Sequence, residues 1–530
     1  MKDILILDCT LRDGGYVNDN NFGYENISKI IKALNNSKVD IIECGYIKDD
    51  KDNYSQDVTE YTSFASFQEE QRDSLKTTKK YTLMLLGEKY QIENLPKSNS
   101  KKNMIRMSFH KHNIKKAIEY SKIIKEKGYK LFVQPTVTKS YNNDELIYLI
   151  KEMNKIKPYC LSIVDTFGEM REKDIIYYTN LFDKYLDKDI LLGFHAHNNL
   201  QLAFSNAIAF IKKMNEKRSI IIDTSIFGMG RGAGNLPTEL LLSYLNENYN
   251  KKYNIEPLLK IVDSVLNKIK EEHNWGYSLE YYLSAIHSIH PSYVINFMNR
   301  KTLNTHDINK LLTSISYDKK TEYNAAYADE LYNSYNNNRI NDEKSYELLK
   351  KIIGNKKILL IGPGPTIKKY RSKIEKILDD KNYITISINN KNLYKTDYIF
   401  ISNKKRYENI KLEENDKVII TSNIKNKSSN EIIFDYNKSL SREIEISDNS
   451  LLVFLNIISN ITNKILIAGF DGYSTNKNEN YYDDSIQFIL DRNYALNLNN
   501  FIKRNIKEYQ KKINIETITP SIYIGGKKWK

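Results

Sequence analysis

The chain has 530 residues, of which 41% are hydrophobic and 28% are charged, and its net charge at pH 7 is +14. This length predicts more than one domain, and no apolar run approaches the roughly 18 residues that a membrane span needs. Three cysteines without a CxxC pair are typical of a reducing compartment, so we expect a cytoplasmic protein. The lysines are dispersed and do not form a basic stripe, which argues against a nucleic-acid partner.

Short apolar segments alternate with helical segments along roughly the first 240 residues. This alternation predicts parallel βαβ units, and about eight of them in that length predict a (β/α)8 TIM barrel. An open doubly wound sheet is the competing topology. The predicted strands are Ile4–Leu7, Val39–Glu43, Tyr81–Leu86, Met104–Ser108, Lys130–Gln134, Cys160–Val164, Ile190–Phe194 and Ser219–Asp223.

The pattern changes twice further along the chain. We expect a barrel domain over 1–255, a helical extension and linker over 256–351, and a separate α/β domain over 352–530. In the last of these, the segment "KKILLIGPGPTIKKY" restarts a strand–turn–helix and predicts a Rossmann-like fold. Its further predicted strands are Tyr383–Ile388, Tyr398–Ile401, Lys417–Thr421 and Lys464–Ala468.

Polar residues stand where two of the predicted barrel strands end. Arg12 and Asp13 follow the first strand, and the seventh ends in "GFHAHNN", with His195 and His197 two positions apart. In extended chain that spacing points both imidazoles to one side, and barrel closure brings both strand ends to the same mouth. Taken alone, the Arg-Asp pair would be interpreted as an ion pair and the two histidines as a structural or surface pair. Together, Asp13, His195 and His197 predict a divalent-metal site with positions left for substrate and water.

Three segments carry a resemblance to a known family. "DCTLRDGG" at 8–15, "HAHNN" at 195–199 and "GMGRGAGNLPTE" at 228–239 resemble the signatures of the DRE-TIM metallolyases, which share the HMG-CoA lyase-like, pyruvate carboxyltransferase-type barrel. The match is to the 4-hydroxy-2-oxovalerate aldolase branch and covers about residues 1–300.

The resemblance implies an aldolase that cleaves or forms a 4-hydroxy-2-oxo acid through a pyruvate enolate, with a 2-oxo acid and an aldehyde as its small-molecule partners. The expected cofactor is a divalent ion, Mn²⁺ first, with Mg²⁺, Co²⁺ or Zn²⁺ as alternatives. Arg12 would stabilise the developing oxyanion. Substrate-binding residues would be the loop glycines, whose amides can approach a carboxylate, and the amide side chain that follows them: Gly230, Gly232, Gly234 and Asn235.

The chain departs from that family at one position. Hydroxy-oxovalerate aldolases carry a catalytic histidine just after the Arg-Asp-Gly motif, where this chain has Tyr16. A phenol is a poor base at neutral pH unless a neighbour stabilises its anion, so a metal-bound water, His110 or His112 are alternatives. We predict that Tyr16 contacts substrate or a metal-bound water and is not buried as ordinary core; the alternative is packing against Phe22. The same Gly15-Tyr16 pair weighs against acyl-CoA condensation, for which related synthases have an acidic residue followed by Gln.

The C-terminal domain has one candidate nucleotide site. Its predicted residues are Gly362, Gly364, Thr366 and Asp471, at a glycine turn into a helix and at a later strand end. Residues 356–530 resemble the nucleotide-sugar-binding domain of bacterial sialyltransferases. No histidine follows His306, so a histidine base is lacking there.

The leading hypothesis is therefore a metal-dependent aldolase fused to a nucleotide- or nucleotide-sugar-binding module. The alternatives are a bifunctional enzyme of surface-glycan synthesis with a glycosyltransferase domain, and a scaffold that has lost turnover. A homo-oligomer is left open. His290, which precedes Pro291, could cap a helix or close over the barrel mouth.

Overall fold

A computed structural model describes residues 2–49, 55–300, 302–336, 339–424, 432–440, 448–476, 479–487, 490 and 492–524. The chain forms two compact units, Met1–Val294 with Ser316–Tyr323, and Ile295–Ile315 with Asn324–Lys530. The helices between 256 and 351 are thus shared between the units. In the described part of the chain, no helix has both the length and the apolar character that a membrane crossing requires.

The first unit is built on nine parallel strands among its described residues, in the order β1-β9-β8-β7-β6-β5-β4-β2-β3. Because β1 also pairs with β2, eight of them close into a ring, and the two-residue β3 only extends β2. The predicted (β/α)8 TIM barrel is confirmed, and the open sheet is wrong for this unit. The strands are β1 (Ile4–Asp8), β2 (Ile41–Ile47), β3 (Glu60–Tyr61), β4 (Lys80–Leu86), β5 (Met104–Phe109), β6 (Lys130–Pro135), β7 (Cys160–Asp165), β8 (Leu191–Ala196) and β9 (Ile220–Thr224).

Amphipathic helices connect and cover these strands. In the helix that begins at Asn143, Asn142 accepts from the Glu145 amide at 2.9 Å while the Glu145 carboxylate accepts from the Asn142 amide at 2.8 Å, a capping box that fixes its start. Its apolar face is buried on the barrel. Helices up to residue 353 are α1 (Tyr24–Asn36), α2 (Phe64–Glu70), α3 (Ile114–Glu126), α4 (Asn143–Ile156), α5 (Glu172–Tyr185), α6 (Ala203–Met214), α7 (Thr238–Asn248), α8 (Glu256–Ile261), α9 (Asn267–Glu272), α10 (Leu279–His287), α11 (Pro291–Asn299), α12 (Thr305–Ser314), α13 (Ala325–Tyr335) and α14 (Glu343–Ile353).

The interior of the barrel is layered. Side chains of a strand alternate between its faces, so residues two apart share the interior. One interior layer is an apolar cluster that includes Leu7, Ile41, Met104, Phe132 and Ile221. Two positions further along three of these strands the residues are ionisable, namely Glu43, Arg106 and Asp223. A charged layer therefore lies between the apolar floor and the C-terminal mouth, where enzymes of this fold carry their sites.

The second unit contains one parallel sheet in the order β14-β13-β12-β11-β10-β15-β16. The Rossmann-like prediction is confirmed, although β14 and β16 were not among the predicted strands. The chain places β11 to β14 on one side of β10 and then returns to place β15 and β16 on the other side. The carboxyl end of β10 is therefore a topological switch point. The elements are β10 (Lys357–Ile361), β11 (Tyr383–Ile388), β12 (Tyr398–Ile401), β13 (Val418–Thr421), β14 (Ile432–Phe434), β15 (Lys464–Ala468) and β16 (Asn514–Thr517), with helices α15 (Thr366–Lys369), α16 (Arg371–Leu378), α17 (Lys404–Asn409), α18 (Tyr436–Ser439), α19 (Ser450–Ile458) and α20 (Arg492–Gln510).

Candidate metal centre

A tight turn after β1 delivers the first two site residues. The amides of Arg12 and Asp13 both donate to the Cys9 carbonyl, at 3.0 and 2.8 Å, which folds the chain back over the strand end. Gly15 allows this close path, because a Cβ there would lie 2.2 Å from the Asn20 Oδ1 atom. The side chains of Arg12 and Asp13 are buried in consequence.

Three buried side chains meet above the strand ends. The Nε2 atoms of His195 and His197 are 3.4 Å apart, and they lie 3.7 and 3.9 Å from the two carboxylate oxygens of Asp13. Adjacent donors on an ion with bonds of about 2.1 Å lie roughly 3 Å apart, so these atoms are close to the spacing that one ion requires. Among the described residues, Asp13, His195 and His197 form the group of three His, Cys, Asp or Glu side chains that lie close enough together to hold one metal ion.

The protonation of the three groups suits a cation. His195 Nδ1 lies 3.0 Å from the Asp223 carboxylate, which accepts its proton and leaves the Nε2 lone pair facing Asp13. Burial lowers the pKa of His197 to about 4, so its ring is neutral at pH 7. Burial opposes ionisation of Asp13, but the Arg12 guanidinium, the two histidines and the Asn235 amide together outweigh burial and hold the pKa of Asp13 well below its usual range. Two imidazole nitrogens and a carboxylate are a donor set that fits a divalent ion.

The charged layer beneath supports these ligands. Glu43 Oε2 accepts from Arg12 Nε at 2.9 Å and from Arg106 Nη1 at 3.0 Å. Arg106 also donates to Asp223, and Arg12 donates to Asp13. All five side chains are nearly inaccessible to solvent. Two guanidinium groups thus face three carboxylates, and the resulting net negative charge favours a cation between Asp13 and the histidines.

Sequence reasoning missed Glu43, Arg106 and Asp223 as members of the site. The signal was present in "IIECG", "MIRMS" and "IIIDT", each of which puts one charged residue inside an apolar strand. Charged side chains are rarely buried unless they are paired, so three such strands in one barrel predict partners. The pairing itself depends on which strands face each other across the barrel.

The glycine loop holds Asn235 against the ligands. Asn235 Nδ2 donates to Asp13 Oδ1 at 3.0 Å, while its Oδ1 is buried without a hydrogen-bond partner among the described residues. A Cβ at Gly230 would lie 2.2 Å from that Nδ2 atom, and one at Gly234 would lie 2.0 Å from the Gly228 carbonyl. Gly232 and Gly234 have φ of +73° and +83°, values that favour glycine. The glycines therefore allow the loop to pass close around Asn235. Whether they also contact the substrate is not tested by these distances and stays a prediction.

Tyr16 lies on the single helical turn after Gly14, and 47% of its surface is exposed. Its ring packs edge-on against Tyr46, with centroids 6.2 Å apart. Tyr46 is turned inward at a bulge in β2 where Gly45 has φ +136°. Its hydroxyl is buried, and burial, then Tyr16, raises the pKa of Tyr46 well above the usual value. Tyr46 is a second phenol near Arg12 that sequence reasoning did not assign to the site.

The alternative bases have carboxylate partners. His110 Nδ1 lies 2.8 Å from Glu88, which raises the pKa of His110, and His112 lies 3.1 Å from Glu322. Their rings stack on each other with centroids 5.9 Å apart.

The four residues predicted for the C-terminal domain lie at its switch point. Thr366 donates to Asp471 from its amide at 2.9 Å and from its hydroxyl. A Cβ at Gly362 or Gly364 would lie 2.5 or 2.6 Å from the Gly469 carbonyl, so both glycines permit the crossing of the two strand ends. The first residue of α15, where a phosphate was predicted to bind, is therefore hydrogen-bonded to the Asp471 carboxylate. Nucleotide binding stays a prediction.

The barrel with its Asp-His-His mouth defines the class of protein, and residues 3–265 match the HMGL-like family model. The chain belongs to the HMGL-like family through this barrel and is an enzyme of the lyase type. It is 28% identical to the 4-hydroxy-2-oxovalerate aldolase of Geobacillus genomosp. 3 over 246 residues, 46% of this chain and 70% of the relative. It is 29% identical to the homocitrate synthase of Pyrococcus horikoshii over 267 residues, 48% of this chain and 70% of that relative. A solved N-terminal domain of a putative aldolase from Bacteroides vulgatus is 30% identical, with a TM-score of 0.49, and the match covers 56% of this chain and 96% of that one.

Glu43→Gln tests whether the charged layer holds the barrel mouth together. The change leaves two buried guanidinium groups facing a neutral amide, so the free energy of unfolding should fall by about 3–5 kcal/mol. Urea denaturation of the full chain, followed by circular dichroism, measures this. The matched control is Glu256→Gln, whose exposed pair with Lys260 should contribute nothing measurable. Equal stability of the two variants would contradict a supporting role for Glu43.

Proposed function

We propose that this protein is a divalent-metal-dependent aldolase that cleaves or forms a 4-hydroxy-2-oxo acid through the enolate of pyruvate. The observation that carries the proposal is the convergence of one ligand atom each from Asp13, His195 and His197 within 4.8 Å of one another, with Arg12 bonded to the same carboxylate. The names of the aldolase relatives support the substrate class.

The metal would be held by Asp13, His195 and His197, and the unpartnered Oδ1 of Asn235 is a further oxygen donor. Mn²⁺ is the proposed ion, with Mg²⁺, Co²⁺ or Zn²⁺ as alternatives. When bound, it would act as a Lewis acid on the 2-oxo acid. The net negative charge of the layer beneath supports a cation of this kind.

Arg12 is proposed to stabilise the charge that develops on the keto oxygen. Its Nε donates to Glu43 and its Nη1 to Asp13, which locks the guanidinium plane, and no described residue accepts from its Nη2. A fixed donor in a dry site stabilises an oxyanion without reorganisation. In cleavage the C3–C4 bond breaks, its electron pair forms the enolate, and the C4 hydroxyl gives its proton to a base as the aldehyde leaves. The enolate is then protonated at C3 to give pyruvate.

Tyr16 is proposed as the group that exchanges the hydroxyl proton. It occupies the turn next to Asp13, is partly exposed, and packs edge-on against Tyr46. Its place beside Asp13 at the barrel mouth supports a role in proton exchange.

Other functions compete with the aldolase proposal. The nucleotide or nucleotide-sugar partner of the C-terminal unit stays a prediction that depends on Thr366 and Asp471 at the switch point, and with it the glycosyltransferase alternative. The inert-scaffold alternative is disfavoured by the intact set of ligands and by Arg12. The likeness to a homocitrate synthase keeps acyl-CoA condensation as a competitor, against which Gly15-Tyr16 still weighs.

Loss of both histidines should abolish metal binding. The double change His195→Ala with His197→Ala removes two of the three ligands, so affinity should fall by more than the roughly 10- to 100-fold that loss of an outer partner costs. Calorimetry with MnCl₂ measures this, and the exposed pair His273→Ala with His306→Ala is the control. Unchanged Mn²⁺ affinity in the first variant would show that the metal does not bind here.

Tyr16→Phe should lower kcat by about 10²–10⁴-fold if the phenol transfers a proton, while Mn²⁺ affinity stays nearly constant. The assay follows pyruvate release from 4-hydroxy-2-oxovalerate, the substrate in the relatives' name. Tyr148→Phe, an exposed tyrosine on α4, is the matched control. Near-normal turnover of Tyr16→Phe would assign the base elsewhere and leave the metal proposal intact.

A further inference from the structure

Arg231 lies in the glycine loop at the mouth of the barrel. It stands between Gly230, which packs against Asn235 and Asp13, and Gly232, which has a left-handed backbone. Its guanidinium lies over the Tyr16 ring and Nη2 donates to His290 Nε2 at 2.8 Å, yet the residue is exposed to solvent. The loop and these two contacts therefore position a cation at the entrance of the site.

The partner of Arg231 carries no charge. His290 is packed between Phe167 and Tyr323, and burial, then Arg231 itself, lowers its pKa to about 3. The ring is therefore neutral at pH 7 and acts as an acceptor that orients the guanidinium. The His290 ring does not neutralise the charge of Arg231.

The carboxylates near this entrance are bonded to other groups. Glu88 pairs with His110 at 2.8 Å, Glu322 with His112 at 3.1 Å, and Glu169 with Lys139 at 3.1 Å. Among the residues that the structure describes, no carboxylate oxygen lies within the 4.0 Å of an ion pair from Arg231. The guanidinium of Arg231 is therefore left without an ion-pair partner among the described residues, and its position at the barrel mouth makes it available to an anionic ligand.

We propose that Arg231 binds an anionic group, a carboxylate or a phosphate, on the aldehyde partner of the reaction. This inference rests on the proposed aldolase function. The buried cluster of Arg12, Asp13, His195 and His197 would take the pyruvate half of the substrate, and the aldehyde half would extend toward solvent, where Arg231 lies. A guanidinium presents paired donors that match both carboxylate and phosphate oxygens. The enzyme would then prefer an acidic aldehyde over a neutral one.

The test compares matched aldehydes in the aldol direction with pyruvate and Mn²⁺. Glycolaldehyde phosphate is paired with glycolaldehyde, and succinic semialdehyde with butanal, so that the phosphate and carboxylate arms are separate. Wild type should favour the anionic member of at least one pair in kcat/KM. Arg231→Ala should lower kcat/KM for that member by about 10- to 100-fold, as for a lost charge-assisted hydrogen bond, and leave the neutral member within about threefold. Arg231→Lys should fall between the two.

A control variant and a separate assay of enolate formation distinguish failure of this inference from failure of the proposed function. Arg72→Ala, an exposed arginine after α2, should change neither pair. Equal loss for neutral and anionic aldehydes, or no loss, would overturn the inference while the aldolase proposal stands. Exchange of the pyruvate methyl protons into deuterated water reports the enolate directly. If wild type shows no such exchange with Mn²⁺ present, the proposed function is contradicted and this inference is overturned with it.

Discussion

The carboxylate of Glu43 lies between the guanidinium groups of Arg12 and Arg106, with no access to water. Isolated buried charges are very costly, so a buried charge persists where charges of opposite sign compensate it. Here the pairing continues from Arg106 to Asp223 and His195, and from Arg12 to Asp13. The contacts join the loop after β1 to β2, β5, β9 and β8, so the positions of the proposed ligands depend on this one carboxylate.

The layers of the barrel explain why the site forms where it does. The apolar layer that includes Leu7, Ile41 and Met104 excludes water from below, and the charged layer above it lies in a low-dielectric environment in which electrostatic interactions are strong. Asp223 fixes the proton of His195 on Nδ1, which leaves Nε2 free to bind a cation. Asn235 fixes Asp13 from the other side. Two of the proposed ligands, His195 and Asp13, are therefore held in place by hydrogen bonds within the protein.

Much of this arrangement could be predicted from the sequence because it is local. Alternating apolar segments gave eight barrel strands, and strand ends marked by Arg12-Asp13 and His195/His197 gave residues that do meet. Glu43, Arg106 and Asp223 could not be assigned, because their partners lie on non-adjacent strands and the register across a barrel is not encoded in any single segment. Tyr46 was missed for a different reason, since it follows an irregularity in the register of β2, at Gly45, where the close Thr59 carbonyl leaves no room for a side chain.

The central claim is that the charged layer holds Asp13, His195 and His197 as the ligands of a divalent ion at the barrel mouth. The most direct test is an anomalous difference map from crystals soaked in MnCl₂ with pyruvate, with data collected at the manganese edge. The account predicts one strong peak bounded by the Asp13 carboxylate and the Nε2 atoms of both histidines. A map with no peak there at saturating Mn²⁺, or with its peak elsewhere, would contradict it.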